Sequence, residues 1–178
     1  MDSAKTIMDF VKPNKAIIIV FLCIPPFLTI LGLLLLATTY LPAKKRVQKK
    51  LDELQAKGQL DQAAAELVSP ASKRFVKGKV VMGEHFVFSK RTGFVLSYDE
   101  ILWAYKHRQT TSFFFIPIKR NDSLVLATKA TKPAFAATMG NDRKGEIKNA
   151  LLEIYNHNNN CMIGATKENQ ANYKLMTK

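Results

Sequence analysis

The sequence predicts a membrane-anchored α+β fold: one transmembrane helix, a helical linker, then a seven-stranded bent sheet or partial barrel capped by a C-terminal helix. Three observations carry this. No charged residue occurs between Lys15 and Lys44. From about residue 78 the chain becomes a series of short runs rich in β-branched and aromatic residues, separated by turn formers. Beyond residue 140 the apolar period changes from about two to about 3.6 residues.

The apolar stretch comes first. Residues 16–40 are almost entirely Ile, Val, Leu, Phe, Ala and Thr. As a helix rising ~1.5 Å per residue they would reach ~37 Å, against a hydrocarbon core of ~30 Å. A core helix would show a polar face, and a signal peptide would have a shorter apolar region; this stretch has neither property. Pro25 and Pro26 remove two backbone donors and predict a kink. Lys5, Lys12 and Lys15 precede the stretch, whereas residues 44–50 hold five cations in seven positions. The denser side faces the cytoplasm by the positive-inside rule. The expected placement is therefore a single-pass cell-membrane protein with its N-terminus outside and its C-terminal domain cytoplasmic.

The expected organisation is a polar tail at 1–15, the transmembrane helix at 16–41, a helical linker at 42–68, a β domain with its C-terminal helix at 69–165, and a polar tail at 166–178. In the linker, Val47, Leu51 and Leu54 recur at helical spacing, and Gly58 suits the helix end. Asp61 then leads a shorter helix through Ala63, Ala64 and Leu67. The strand runs are 79–82, 85–89, 94–98, 101–108, 112–118, 124–128 and 134–138. Residues 90–93 and 119–123 read as hairpin tips. Ile101, Trp103 and Tyr105 fall on one strand face, opposite Lys106 and Arg108. Trp103 and the Phe113-Phe114-Phe115 run are expected to pack in the core. Ile147, Ala150, Leu151, Ile154 and Tyr155 form the apolar stripe of a helix over 142–157, which Asn141 or Asp142 can cap.

The order of strands and terminal helix, with Ser97-Tyr98-Asp99-Glu100-Ile101 leading into Trp103, resembles bacterial pleckstrin-homology-like (PH-like) domains. The stretch from Leu51 to about Tyr173 is similar to an uncharacterised single-pass bacterial membrane family of unknown function. The likeness is carried by residues 83–89 (GEHFVFS), 98–108 (YDEILWAYKHR) and 161–164 (CMIG). It implies an anchored PH-like domain and carries over no catalytic residue. The basic cluster between the first two strands that marks phosphoinositide-binding members has no counterpart beside Gly83.

Chemistry-bearing motifs are absent from the sequence. His85, His107 and His157 have no partners at metal-ligand spacing, and there is no Cys-x-x-Cys, phosphate-cradling glycine loop or nucleophile elbow. Asp99 and Glu100 are adjacent, which aims them apart and suits no acid/base pair. No enzymatic activity, cofactor or metal is expected. Charge is the conspicuous property. The chain carries +13, and residues 69–178 contribute eighteen Lys and Arg against eight Asp and Glu.

The expected function is that of a non-enzymatic membrane-anchored adaptor or binding domain, engaging anionic phospholipid headgroups or a protein partner on the cytoplasmic face. Its candidate lipid contacts are Lys44, Lys45, Arg46, Lys49 and Lys50 beside the span, with Lys90, Arg91, Lys119 and Arg120 at the two expected hairpin tips. Two alternatives remain. One is a basic nucleic-acid-binding domain tethered to the membrane; its aromatics alternate with apolar rather than basic residues, which disfavours it. The other, with inverted topology, is an extracytoplasmic binder of acidic wall polymers.

Overall fold

Short runs of Val, Phe, Ile and Leu pair as antiparallel hairpins in chain order, as their β-branched and aromatic content dictates. A computed structural model describes residues 3–11, 41–90, 93–114, 116–130 and 133–177. One antiparallel sheet has the order β1 (Lys73–Phe75), β2 (Val80–Met82), β3 (Phe86–Ser89), β4 (Phe94–Ser97). A 3₁₀ turn, Tyr98–Glu100, leads from it into the second sheet; Ser97 and Glu100 form a reciprocal capping box around that turn. The second sheet has the order β7 (Ala134–Met139), β6 (Ile116–Thr128), β5 (Ile101–Phe113), β8 (Met162–Ile163). Here β8 lies parallel to β5 at Trp103 and Ala104.

Three apolar clusters hold these elements. The helix α4 (Glu146–His157) presents Ile147, Ala150 and Ile154 to a core that includes Val80, Met82, Val87, Leu124, Leu126 and Ala137. The alternate residues of the first sheet point the other way. Val81, Phe86, Phe88 and Val95 pack under α1 (Ser3–Val11), α2 (Leu41–Ala56) and α3 (Leu60–Val68), against Ile7, Val47, Leu51, Leu54, Ala63 and Leu67. Strands covered on both faces need apolar residues at every position, which is why 80–82 and 86–88 read VVM and FVF without alternation. On the outer face of the second sheet, α5 (Lys167–Met176) lays Tyr173 over Trp103.

This architecture corrects the expected fold class in five respects. Eight described strands form two four-stranded sheets, where seven strands in one bent sheet or partial barrel were expected. The expected runs 112–118 and 124–128 are not separate strands: residues 116–118 of the first and all of the second belong to the 13-residue β6, so residues 119–123 lie inside a strand and not at a tip. The expected linker is a packed layer, and the two expected polar tails contain α1 and α5. A bulge between Ile101 and Trp103 also rotates Ile101 into the α4 core, off the face it was expected to share with Trp103 and Tyr105.

The fifth correction concerns the membrane. None of the five described α-helices is long and apolar enough to cross a bilayer. The expected span at 16–41 lies outside the described residues, except for Leu41, which begins α2. The elements on either side of it touch. Ile7 of α1 is fully buried against the α2–α3 layer, and the Ser3 hydroxyl donates to Asp61 Oδ1 at 2.6 Å. One crossing between α1 and α2 would place them on opposite faces of a bilayer. The single-pass anchor is therefore withdrawn.

Candidate functional site

Strands β5 and β6 pair over their whole length, from Ile101↔Thr128 to Phe113↔Ile116. Their neighbours are shorter. β7 pairs with β6 only from Leu126 to Asp122, and β8 with β5 only at Trp103 and Ala104. Beyond the Arg108↔Asp122 rung the hairpin continues alone, for five more residues on β5, as a two-stranded arm ~17 Å long at ~3.4 Å per residue. His107 to Ser112, Lys119 and Arg120 are all exposed, so both faces of the arm meet solvent. At its tip Phe114 has φ 45° and is 78% exposed. This corrects the expectation of core packing for Phe114, while Phe115 and the Phe113 side chain lie outside what is described; Trp103, in contrast, is buried, donates Nε1–H to the Gly164 carbonyl at 2.7 Å and stacks on Tyr105.

The arm is held at its base by a buried ionic knot. The Arg108 guanidinium donates to both oxygens of Asp122, at 2.8 and 3.3 Å. Lys106 Nζ lies 2.9 Å from Asp142 Oδ2 and 3.3 Å from Asp122 Oδ2. The Asp142 amide donates to Asp122, while the Asp142 carboxylate accepts the N–H groups of Glu146 and Ile147 at the start of α4. Both carboxylates are fully enclosed. The Arg108 hydrogen bond, aided by the Asp142 amide and by Lys106, holds the Asp122 carboxyl well below the usual carboxylate range against the opposing effect of its burial.

Around this knot the surface is basic. Lys79 Nζ donates to the Thr138 carbonyl, one rung from the knot, and the Lys90 amide donates to the Lys79 carbonyl. Arg143 and Lys144 follow Asp142 directly and are exposed. Among the described residues Lys90, Lys119, Arg120, Arg143 and Lys144 have no carboxylate partner, because the only acids in residues 101–145, Asp122 and Asp142, are consumed inside.

The far end of α4 is different. His157 stacks on Tyr98 with centroids 4.3 Å apart, beside a cleft of about 420 Å³ between α2 and the β3–β4 sheet. The cleft carries Glu84, Asp99 and Glu100, and a smaller recess of about 210 Å³ adjoins it at Glu66 and Glu153. Its charges pair across the layers: Lys50 with Glu100, His85 with Glu66 at 2.7 Å, and Lys73 with Glu153 at 2.7 Å. Tyr98, whose hydroxyl donates to the Gly83 carbonyl, is held un-ionised by burial and by Glu153 and Glu66. This end is an interlayer seam, knit by internal ion pairs.

The expected contact residues therefore divide. Lys119 and Arg120 are exposed on the arm, within β6 and not at a tip. Lys90 is exposed in the β3–β4 turn on the same pole, and Arg91 lies outside the described residues. Lys45 and Lys49 are exposed on α2, whereas Lys50 is drawn into the seam by Glu100 and Glu53. Lys44 and Arg46 belong to the first turns of α2. Sequence reasoning missed Phe114, Arg143 and Lys144. A usable signal existed for the arm: six polar residues, 107–112, precede six apolar ones, 113–118, and neither block alternates as a half-buried strand must. Comparison with protein-family models, with curated proteins and with solved structures finds no match to this chain.

Proposed function

We propose that this protein is a non-enzymatic binding module whose basic pole, the β5–β6 arm and the cations at its base, engages an anionic lipid surface. The observation that carries the reading is the asymmetry of burial. At the arm end the two carboxylates of the knot are enclosed and the neighbouring cations are exposed; at the seam Glu66, Glu100 and Glu153 each lie against a basic side chain from another segment, and Glu84 and Asp99 add exposed negative charge. An anionic surface thus meets a predominantly basic pole, and attraction there is salt-sensitive. The sequence resemblance to PH-like domains, a class of binding modules, supports the same reading.

The test is co-sedimentation of the full chain with phosphatidylcholine vesicles, with and without phosphatidylserine. Binding is expected to need the anionic lipid and to weaken with salt. Each Lys or Arg near such a surface contributes about 1 kcal/mol, so K119E/R120E should lower affinity at least about thirtyfold. Equal binding of this variant and the parent would refute the basic-pole reading.

A further inference from the structure

We infer that the arm docks on a lipid bilayer tip-first, with Phe114 entering the boundary between headgroups and acyl chains while Lys119 and Arg120 stay at headgroup level. The inference rests on the basic-pole reading and adds to it a mode of attachment. Three features of the arm support it.

The first is reach. Among the described strands neither edge of the arm is paired beyond Asp122 on β6 or Ala104 on β5. The second is the order of chemistry along the arm. Residues 113–118 read FFFIPI, with no charge or hydrogen-bonding side chain, and the cations Lys119 and Arg120 come next. Three strand residues separate Ile116 from Lys119, or ~10 Å, which matches the ~5–10 Å by which apolar elements enter the interface. The third is exposure. Phe114 stands 78% exposed in the β5–β6 turn, in a left-handed conformation that non-glycine residues adopt at a cost. A bilayer interface takes up the exposed apolar area of that ring and leaves the cations hydrated.

A duplex nucleic acid is the other polyanion an extended ribbon can track. It fits less well, because Gln109, Thr110, Thr111 and Ser112 leave the β5 strand of the arm uncharged beyond Arg108.

The experiment places an environment-sensitive NBD label on the full chain at F114C, or at T110C as a stem control, in a C23S background. Cys161 can stay, since it is buried and burial pushes its thiol up to about 12. With phosphatidylserine-containing vesicles the label at 114 should shift to the blue and gain intensity, and the label at 110 should not. Lipids carrying a nitroxide on the acyl chain should quench position 114 alone. In unlabelled protein, F114S should weaken vesicle binding about tenfold or more while leaving its salt dependence intact. Salt-dependent sedimentation with a water-like signal at 114 overturns tip insertion and leaves the basic pole standing. Absence of both overturns the two together. A signal at 114 that responds to duplex DNA and not to vesicles overturns the lipid assignment.

Discussion

Asp122 and Gly83 show what single residues fix. Asp122 is enclosed and bonded to Arg108, Lys106 and the Asp142 amide, so removing its charge leaves Arg108 without a carboxylate and Lys106 with Asp142 alone. Asp122→Asn should cost about 2–3 kcal/mol, less than a fully buried pair because Arg108 is half exposed. The folded-state value of this carboxyl lies below its unfolded value of ~3.9, so its contribution is present above about pH 4 and is lost as the pH falls further. Thermal melts between neutral pH and pH 3 should therefore show a steeper acid loss for the parent than for Asp122→Asn. Gly83 is needed for space. A Cβ there would lie 2.3 Å from Glu66 Oε2 and 2.9 Å from Glu66 Cβ, and Glu66 accepts the amides of His85 and Phe86. Gly83→Ala should cost about 1–3 kcal/mol, and much less in a Glu66→Gly background, which removes both close atoms; equal costs in both would remove the steric account. Neither residue's role was legible in the sequence, since each depends on a partner brought in from a distant segment. The helix stripes were largely legible: Val47, Leu51, Leu54, Ala63, Ala64, Leu67, Ile147, Ala150 and Ile154 are all buried, whereas Leu151 is half-buried at the edge of the core and Tyr155, expected on the same stripe, is exposed.

At the scale of elements, local pattern identified what local pattern governs. The β3–β4 turn at Gly93, the end of α2 at Gly58 and the α4 stripe follow from turn chemistry and period. β1 and β8 escaped because three and two residues are too few to show a period. The C-terminal α5 escaped for a different reason: it is polar along most of its length and is held by one ring. Tyr173 is buried over Trp103, and its hydroxyl donates to the Thr128 carbonyl at 2.9 Å. Trp103 is the only tryptophan, so its emission reports on that contact. Tyr173→Ala should shift the emission to the red as α5 lifts and water reaches the indole; an unchanged spectrum would mean that other residues hold the helix down. The arm was misread because residues 119–123 are turn formers by composition. A ribbon wet on both faces imposes no alternation, and polar residues are free to occupy it. Pro117 has a use there, since an edge residue without an N–H resists pairing with a second chain.

For the molecule as a whole, the contacts that sequence could not foresee are those between layers. The first sheet is sandwiched between α4 and the α1–α3 layer, and α1 enters that layer through Ile7. Ile7→Ala should destabilise the entire domain by about 2–5 kcal/mol in denaturant titrations, with a single transition. A separate early transition would show that α1 is an appendage. Because α1 touches α2 as well as α3, the chain that departs after Val11 returns to the layer it left. Helices from both halves of the sequence therefore seal the first sheet, so the amides of α1 should be protected from exchange to the same degree as those of α3. Rapid exchange throughout α1 would show that its docking is a weak, local event.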